Sequence, residues 1–322
     1  MEAARINHPK LCLLFGAISL CGVAAHAQDY PAKPIRIATF AAGGGSDIIS
    51  RLIAQGISGR MGQQVVVENR VGVVVVELVA KAPADGYTLL VGGSVIWTEP
   101  MLRDNVPWDA VRDFAPISST SISPNMLVVH PSLPVRSTRD LIALAKARPG
   151  ELNYGSAGSG STTHLAGELF MSMAGVKIVR IPYKGNGPAM TDLIGGQLQL
   201  MFPSIGEVAP HVQSGRVRAI AVTTAQATSL APNMPTIAAS GLAGYESASL
   251  LGILAPAKTP VAIITRLNQE VLQVLNSPAT KEKVFHMGFE TLGSTPEQFG
   301  AVVRSEIAKW GKVIREAGIR AQ

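Results

Sequence analysis

Ile35-Arg36-Ile37-Ala38-Thr39-Phe40-Ala41-Ala42-Gly43-Gly44-Gly45-Ser46-Asp47 starts as a β-rich run, breaks at three consecutive glycines, and reopens at Ser46 into an amphipathic stretch over 46–61. Strand, glycine turn and helix in that order predict the first half of a βαβ unit. Short β-rich runs at 65–68 and 88–91 continue the rhythm, so this region predicts a mostly parallel sheet. The recipe returns at Gly155-Ser156-Ala157-Gly158-Ser159-Gly160-Ser161-Thr162-Thr163-His164, between a strand at 153–155 and a helix opening after Ser161. In parallel sheets, ligands collect outside the carboxyl ends of the strands, where helix N-termini present free N–H groups. Glycines let those groups approach an anion with no Cβ in the way, and Ser46, Ser156, Ser159, Ser161 and Thr162 add hydroxyls.

Outward from these two loops the pattern restarts at 126–130. It runs through a helix capped near Ser137 that stops at Arg148-Pro149-Gly150, then strands at 179–183, 199–202 and 218–223. Residues 231–240 read as a connecting segment, and strand character resumes at 251–255. The tail is helical: Ile264, Leu267, Val271 and Leu275 form one stripe, and Thr295-Pro296-Glu297-Gln298 is a capping box with proline in the first turn. The expectation is an α/β protein of two lobes with a ligand cleft between them. Residues 28–126 plus 251–322 would form the first lobe and 127–250, inserted into it, the second.

The N-terminus carries its own signal. Arg5 and Lys10 precede an apolar run from 11 to 25, followed by Ala25-His26-Ala27, which predicts a signal peptide over 1–27 and a periplasmic destination. Cys12 and Cys21 both fall inside it, so the exported protein is expected to have no disulfide, no reactive thiol and no Cys-ligated metal. The chain has 322 residues, 47% hydrophobic and 16% charged, enough for a large core. Past the leader no run reaches the roughly 20 apolar residues a bilayer demands. The net charge of +6 suits anionic ligands, but the basic residues are scattered, which argues against nucleic acid.

Enzymatic and cofactor readings find little support. Gly43-Gly44-Gly45 follows a strand, yet the third position of a dinucleotide fingerprint is Ile48. There is no Walker-type loop, G-x-S-x-G elbow or H-E-x-x-H, and His130, His164, His211 and His286 are far apart. No catalytic residue, metal or cofactor is expected. Ser94, Tyr183, Lys184 and Ser204 lie just past strand ends and join the candidate ligand residues, Lys184 as a positive charge; His164, in a first helical turn, is a possible donor or a structural cap. Trp97 and Trp108 are expected in the core.

The motifs resemble those of the Bug family of periplasmic binding proteins, the receptor components of tripartite tricarboxylate transporters. The resemblance rests on Gly43-Gly44-Gly45-Ser46-Asp47, Val67-Glu68-Asn69-Arg70, Asp85-Gly86-Tyr87-Thr88-Leu89-Leu90, Asp113-Phe114-Ala115-Pro116, the 154–168 stretch, Pro182-Tyr183-Lys184-Gly185 and Leu254-Ala255-Pro256. It implies a type II periplasmic-binding-protein fold in which two strand–turn–helix pincers grip the carboxylate of a small organic acid. It also implies integral membrane subunits of such a transporter as partners, and a monomer is expected. A sensory receptor sharing the same residues, or an exported hydrolase, are the rival readings. Two departures bear on the ligand. The segment after Asn69-Arg70 reads Val71-Gly72-Val73-Val74-Val75-Val76 and is shorter than the family's, and Pro203 stands where the family commonly has Asp. Loss of that acceptor predicts a more apolar monocarboxylate, and the valine run reads as an aggregation hazard if exposed.

Overall fold

The computed structural model describes residues 30–70 and 72–320. The expected leader with Cys12 and Cys21, and Val71, lie outside these residues. The chain begins with β1 (Ile35–Thr39), α1 (Gly45–Met61), β2 (Val65–Asn69), α2 (Val74–Ala80), β3 (Thr88–Gly92), α3 (Val95–Leu102) and β4 (Phe114–Pro124). It continues into β5 (Met126–Val129), α4 (Thr138–Ala147), β6 (Asn153–Ser156), α5 (Thr162–Ala174), β7 (Val179–Pro182), α6 (Asn186–Ile194), β8 (Leu200–Met201), α7 (Ile205–Gln213) and β9 (Arg218–Val222). It returns through β10 (Ala248–Pro256), α8 (Val261–Asn276), α9 (Pro278–His286), β11 (Glu290–Thr291) and α10 (Pro296–Glu316).

These elements make two α/β lobes. The first sheet has the order β11-β4-β10-β3-β1-β2 and the second β7-β6-β8-β5-β9. β1 lies parallel between β2 and β3, with Ile37 opposite Val67 and Leu89. β4 and β10 run antiparallel from Phe114↔Pro256 to Pro124↔Ala248, and the chain leaves the first sheet at Pro124 to enter the second at Met126. Because Gly92 pairs with Gly252, the carboxyl ends of β1, β2 and β3 lie at the edge from which β4 departs. In the second sheet, Met126 opposes Val222 and its N–H reaches Pro203 O just past β8, while β6 and β7 run parallel to β8. The carboxyl ends of both parallel sets therefore face each other across the crossover.

Apolar packing follows the sheets. Ile37, Leu89, Ile253, Ile53 and Leu267 are fully buried between the first sheet and α1 and α8, and Val75, Val76, Trp97 and Phe299 cover the opposite face. The second lobe has one core under α4 and α5 (Leu127, Tyr154, Phe170, Phe202) and another under α6 and α7 (Val128, Leu193, Met201, Val208). Burial of each such side chain contributes about 1.5–3 kcal/mol.

Three features differ from what the residues alone predict. β4 is the longest strand, yet Ser118-Ser119-Thr120-Ser121 within it carries no hydrophobic alternation; long-range pairing with β10 and β11 makes it a strand. The C-terminal helix does not stay with the first sheet: Phe299 and Val303 pack there, but Trp310, Val313 and Ile314 enter the second lobe's core. The valine run becomes the start of α2, with Val75 and Val76 at 0% exposure and only Val74 turned out. Trp97 and Trp108 are both buried.

Candidate functional site

The first loop spans 40–45, and its three glycines have three different environments. Gly43 has φ +82°, the left-handed region that glycine adopts freely. Gly44 is the N-cap of α1 with φ −80° and ψ 167°, and it supplies no side-chain cap. A Cβ at Gly45 would sit 2.5 Å from Phe289 Cζ, so only glycine lets that ring close over the helix start. Among the described residues, the N–H groups of Gly44, Gly45, Ser46 and Asp47 have no protein partner. Gly44 is exposed and Gly45 and Ser46 are half-buried, so these donors and the positive end of the α1 dipole are offered at the sheet edge.

Asp47 has another role. Its carboxylate is buried and accepts from Gly43 N at 2.9 Å, Asn69 Nδ2 at 2.8 Å and Arg51 Nε at 3.0 Å. Burial alone would raise its pKa, but these donors together hold it below the ordinary carboxylate range. Asp47 thereby ties the glycine turn to β2 and to its own helix.

The second loop, 156–161, is braced from below in the same way. Ser161 caps α5, and its Oγ accepts from His164 N at 3.3 Å. Thr163 Oγ1 accepts from Ala157 N at 3.1 Å. His164 is 3% exposed; its Nδ1 accepts from Gly160 N at 3.0 Å, which puts the ring hydrogen on Nε2, facing Glu168 Oε1 at 3.5 Å. Tyr154 OH donates to the same carboxylate at 2.7 Å. Of the two roles expected for His164, ligand donor or structural cap, the ring takes the structural one, holding the Gly160 N–H in the turn before α5. The N–H groups of Gly158, Ser159, Thr162 and Thr163 have no partner among the described residues, which matches the first loop.

Arg180, on β7, was not singled out by the sequence. Its guanidinium donates to Ser156 Oγ at 2.8 Å, Ala157 O at 3.0 Å and Ser159 Oγ at 3.4 Å, placing a positive charge beneath the second loop. An arginine in a short β-run carries no local signal of such a role; only the β6–β7 register sets it beside the loop. Ser156 Oγ is occupied by this contact and by Ala157 O, so that hydroxyl is turned inward.

The remaining candidates divide. Ser94 begins α3 at the end of β3, half-buried, on the same edge as the first loop. Ser204 caps α7 in a reciprocal capping box with Glu207, whose carboxylate also accepts from Asn186 Nδ2 at 3.0 Å. Tyr183 OH donates to Asp192 at 2.6 Å, and burial with that bond pushes its pKa up to about 12; it braces α6. Lys184 is exposed. Elements of opposite lobes meet around the edges. A Cβ at Gly160 would lie 2.2 Å from Leu102 Cδ1, and one at Gly206 2.9 Å from Met287 O. Glu290 accepts from Thr228 Oγ1 and Ser229 N, each at 2.8 Å.

A cavity of about 450 Å³ between α6 and α7, lined by Met190, Ile194, Glu207, His211 and Arg216 among others, does not include either loop. Among the described residues, no cluster of three His, Cys, Asp or Glu could hold a metal, and no helix is long and apolar enough to cross a membrane.

Comparison with known proteins agrees with this geometry. The sequence profile of the tripartite tricarboxylate transporter family receptor matches residues 49–319. Protein BugT of Bordetella pertussis is 35% identical over 98% of this chain and 99% of its own. Among solved structures, Rpa4515 of R. palustris with adipate is 39% identical, covering 91% of this chain and 99% of that one, with a TM-score of 0.75. MatC of Rhodopseudomonas palustris with bound malate is 26% identical, covering 88% and 100%, with a TM-score of 0.71.

Proposed function

The chain belongs to the tripartite tricarboxylate transporter receptor family, and from that membership we propose that it captures a small organic carboxylate between its lobes for uptake across the membrane. The observation that carries the reading is the pair of helix N-termini, α1 from one lobe and α5 from the other, each offering unpartnered N–H groups on facing sheet edges. A carboxylate has two oxygens and accepts several such bonds, each contributing about 1.5–3 kcal/mol when charge-assisted. The ligand docks on one loop, and hinge closure at the β4/β10 crossover brings the second loop onto it. Arg180 adds positive charge beneath the second loop, Asp47 and His164 hold the two turns in shape, and Ser46, Ser94, Thr162 and Ser204 line the facing edges.

The relatives with adipate and malate support a small aliphatic acid as the ligand class. Pro203, just past β8, offers no side-chain acceptor to a ligand amine, which favours a less polar acid than an amino acid. Residues 1–27 direct export to the periplasm, where the protein acts as a monomeric receptor without catalysis and hands its ligand to integral membrane subunits. Native mass spectrometry of the purified protein, followed by calorimetric titration with adipate, malate, hexanoate and aspartate, tests the reading. Micromolar or tighter binding of an aliphatic acid is expected; failure of every acid in the panel, or binding of aspartate alone, refutes it.

A further inference from the structure

Asn125 lies at the crossover itself, between the last residue of β4 and the first of β5. Its backbone is fully used: N–H donates to Thr223 Oγ1 at 3.0 Å, and its carbonyl accepts from Thr223 N and Oγ1, both at 2.9 Å. Its side chain is not used. The residue is 1% exposed, and neither Oδ1 nor Nδ2 has a hydrogen-bond partner. Burying an amide without partners is destabilising, and cores rarely retain one without a reason.

The direction of the side chain follows from strand alternation. Leu127 and Val129 of β5 point into the core under α4 and α5, whereas Met126 and Val128 point under α6 and α7. Asn125 forms a bridge with Ser204 in register with this strand, so it shares the face of Leu127 and Phe202. That is the face α5 covers and over which the second loop enters its helix. Asn125 thus sits where the chain crosses between the two sheets, at the carboxyl-end edge of the second sheet and on the face that α5 covers.

We infer that the Asn125 amide is a specificity-determining contact for the far end of the captured acid, and that it selects a group that both donates and accepts, such as a hydroxyl. This rests on the carboxylate-binding reading above. The two loops supply donors for a carboxylate, but Asn125 presents one acceptor and one donor group together. A second carboxylate would accept from Nδ2 and set its charge against Oδ1, while a methyl end would leave both atoms unpaired. A hydroxyl satisfies both.

The test uses matched acids: butyrate, pentanoate and hexanoate, and their ω-hydroxy counterparts, titrated into the full-length mature protein and into Asn125→Leu and Asn125→Thr. The wild type is expected to favour the hydroxy acid of the fitting length by about tenfold over its unhydroxylated partner, the discrimination one buried hydrogen-bonding site gives. Asn125→Leu is expected to erase the preference while raising the melting temperature of the free protein, because an apolar side chain of similar size relieves the unpaired amide. Asn125→Thr is expected to retain part of the preference. A wild type without the preference, or an Asn125→Leu protein that keeps it, overturns the proposal alone. A wild type that binds none of these acids and none of the wider panel overturns the carboxylate reading and this proposal with it. An Asn125→Leu protein that melts lower than the wild type shows a structural role for the amide and also overturns it.

Discussion

Gly43, Gly44 and Gly45 are neighbours with one side-chain type, and the structure assigns them three different responses to substitution. At Gly44, φ −80° is ordinary, and an added Cβ meets only Ala41 O at 3.5 Å, a normal contact. Gly44→Leu should therefore fold as the parent does, with a melting temperature within a degree or two, while its side chain stands over the first-turn N–H groups. Loss of two charge-assisted bonds at about 1.5–3 kcal/mol each lowers carboxylate affinity by roughly a hundred- to ten-thousand-fold. At Gly43 the space is open but φ is +82°, so Gly43→Ala meets about 1–2 kcal/mol of backbone strain and melts about 2–8 °C lower. At Gly45 the added methyl overlaps the Phe289 ring, and Gly45→Ala should lower stability and affinity together. Scanning calorimetry of the free proteins and titration of the bound acid read the two effects separately. If Gly44→Leu binds as tightly as the wild type, or if Gly43→Ala loses more affinity than Gly44→Leu, the assignment of the ligand to the α1 N-terminus is wrong.

Arg180→Met removes the guanidinium under the second loop and should weaken carboxylate binding at least tenfold while leaving binding of the corresponding primary amide little changed; equal losses for both ligands in titration would mean Arg180 serves only to shape the loop. For Asp47 the folded pKa lies below the unfolded value of 3.8, so its stabilisation is fully present above pH 3.8 and is lost as pH falls through the folded value. Asp47→Asn should consequently flatten the acid limb of the melting-temperature profile below pH 4, and an unchanged limb counts against the inward carboxylate. Glu290→Ala removes the bonds to Thr228 and Ser229 that join β11 to the second lobe. Ligand release measured by stopped flow should accelerate severalfold, and an unaltered rate would show that these bonds do not hold the lobes closed.

Much of the fold was legible because it is written in short-range terms. The helix starts at Ser137, Ser161 and Thr295 follow from a side-chain oxygen reaching a backbone N–H three residues on, and all three caps form. The alternation of strand, glycine turn and helix likewise depends on neighbours a few residues apart, and it located both loops with their free N–H groups. The polar composition of Ser118-Ser119-Thr120-Ser121 hid β4, because a strand paired on both sides within a sheet takes its stability from partners more than a hundred residues away.

Within the site, residue type and chain position identified the turns but not the side chains that shape them. Asp47, Ser156 and His164 had the right chemistry to touch a ligand, and the packed structure turns each inward to support its own loop. Arg180 and Asn125 had no local signature: one gains its place from the β6–β7 register and the other from the crossover between lobes. Sequence alone determined the class of fold, the family and the two amide-rich turns, since these reside in backbone preferences that act locally. Tertiary structure decided which polar atoms remain free, because hydrogen bonds between distant segments occupy some of the candidates and leave the helix-end amides of Gly44–Asp47 and the buried amide of Asn125 without a partner.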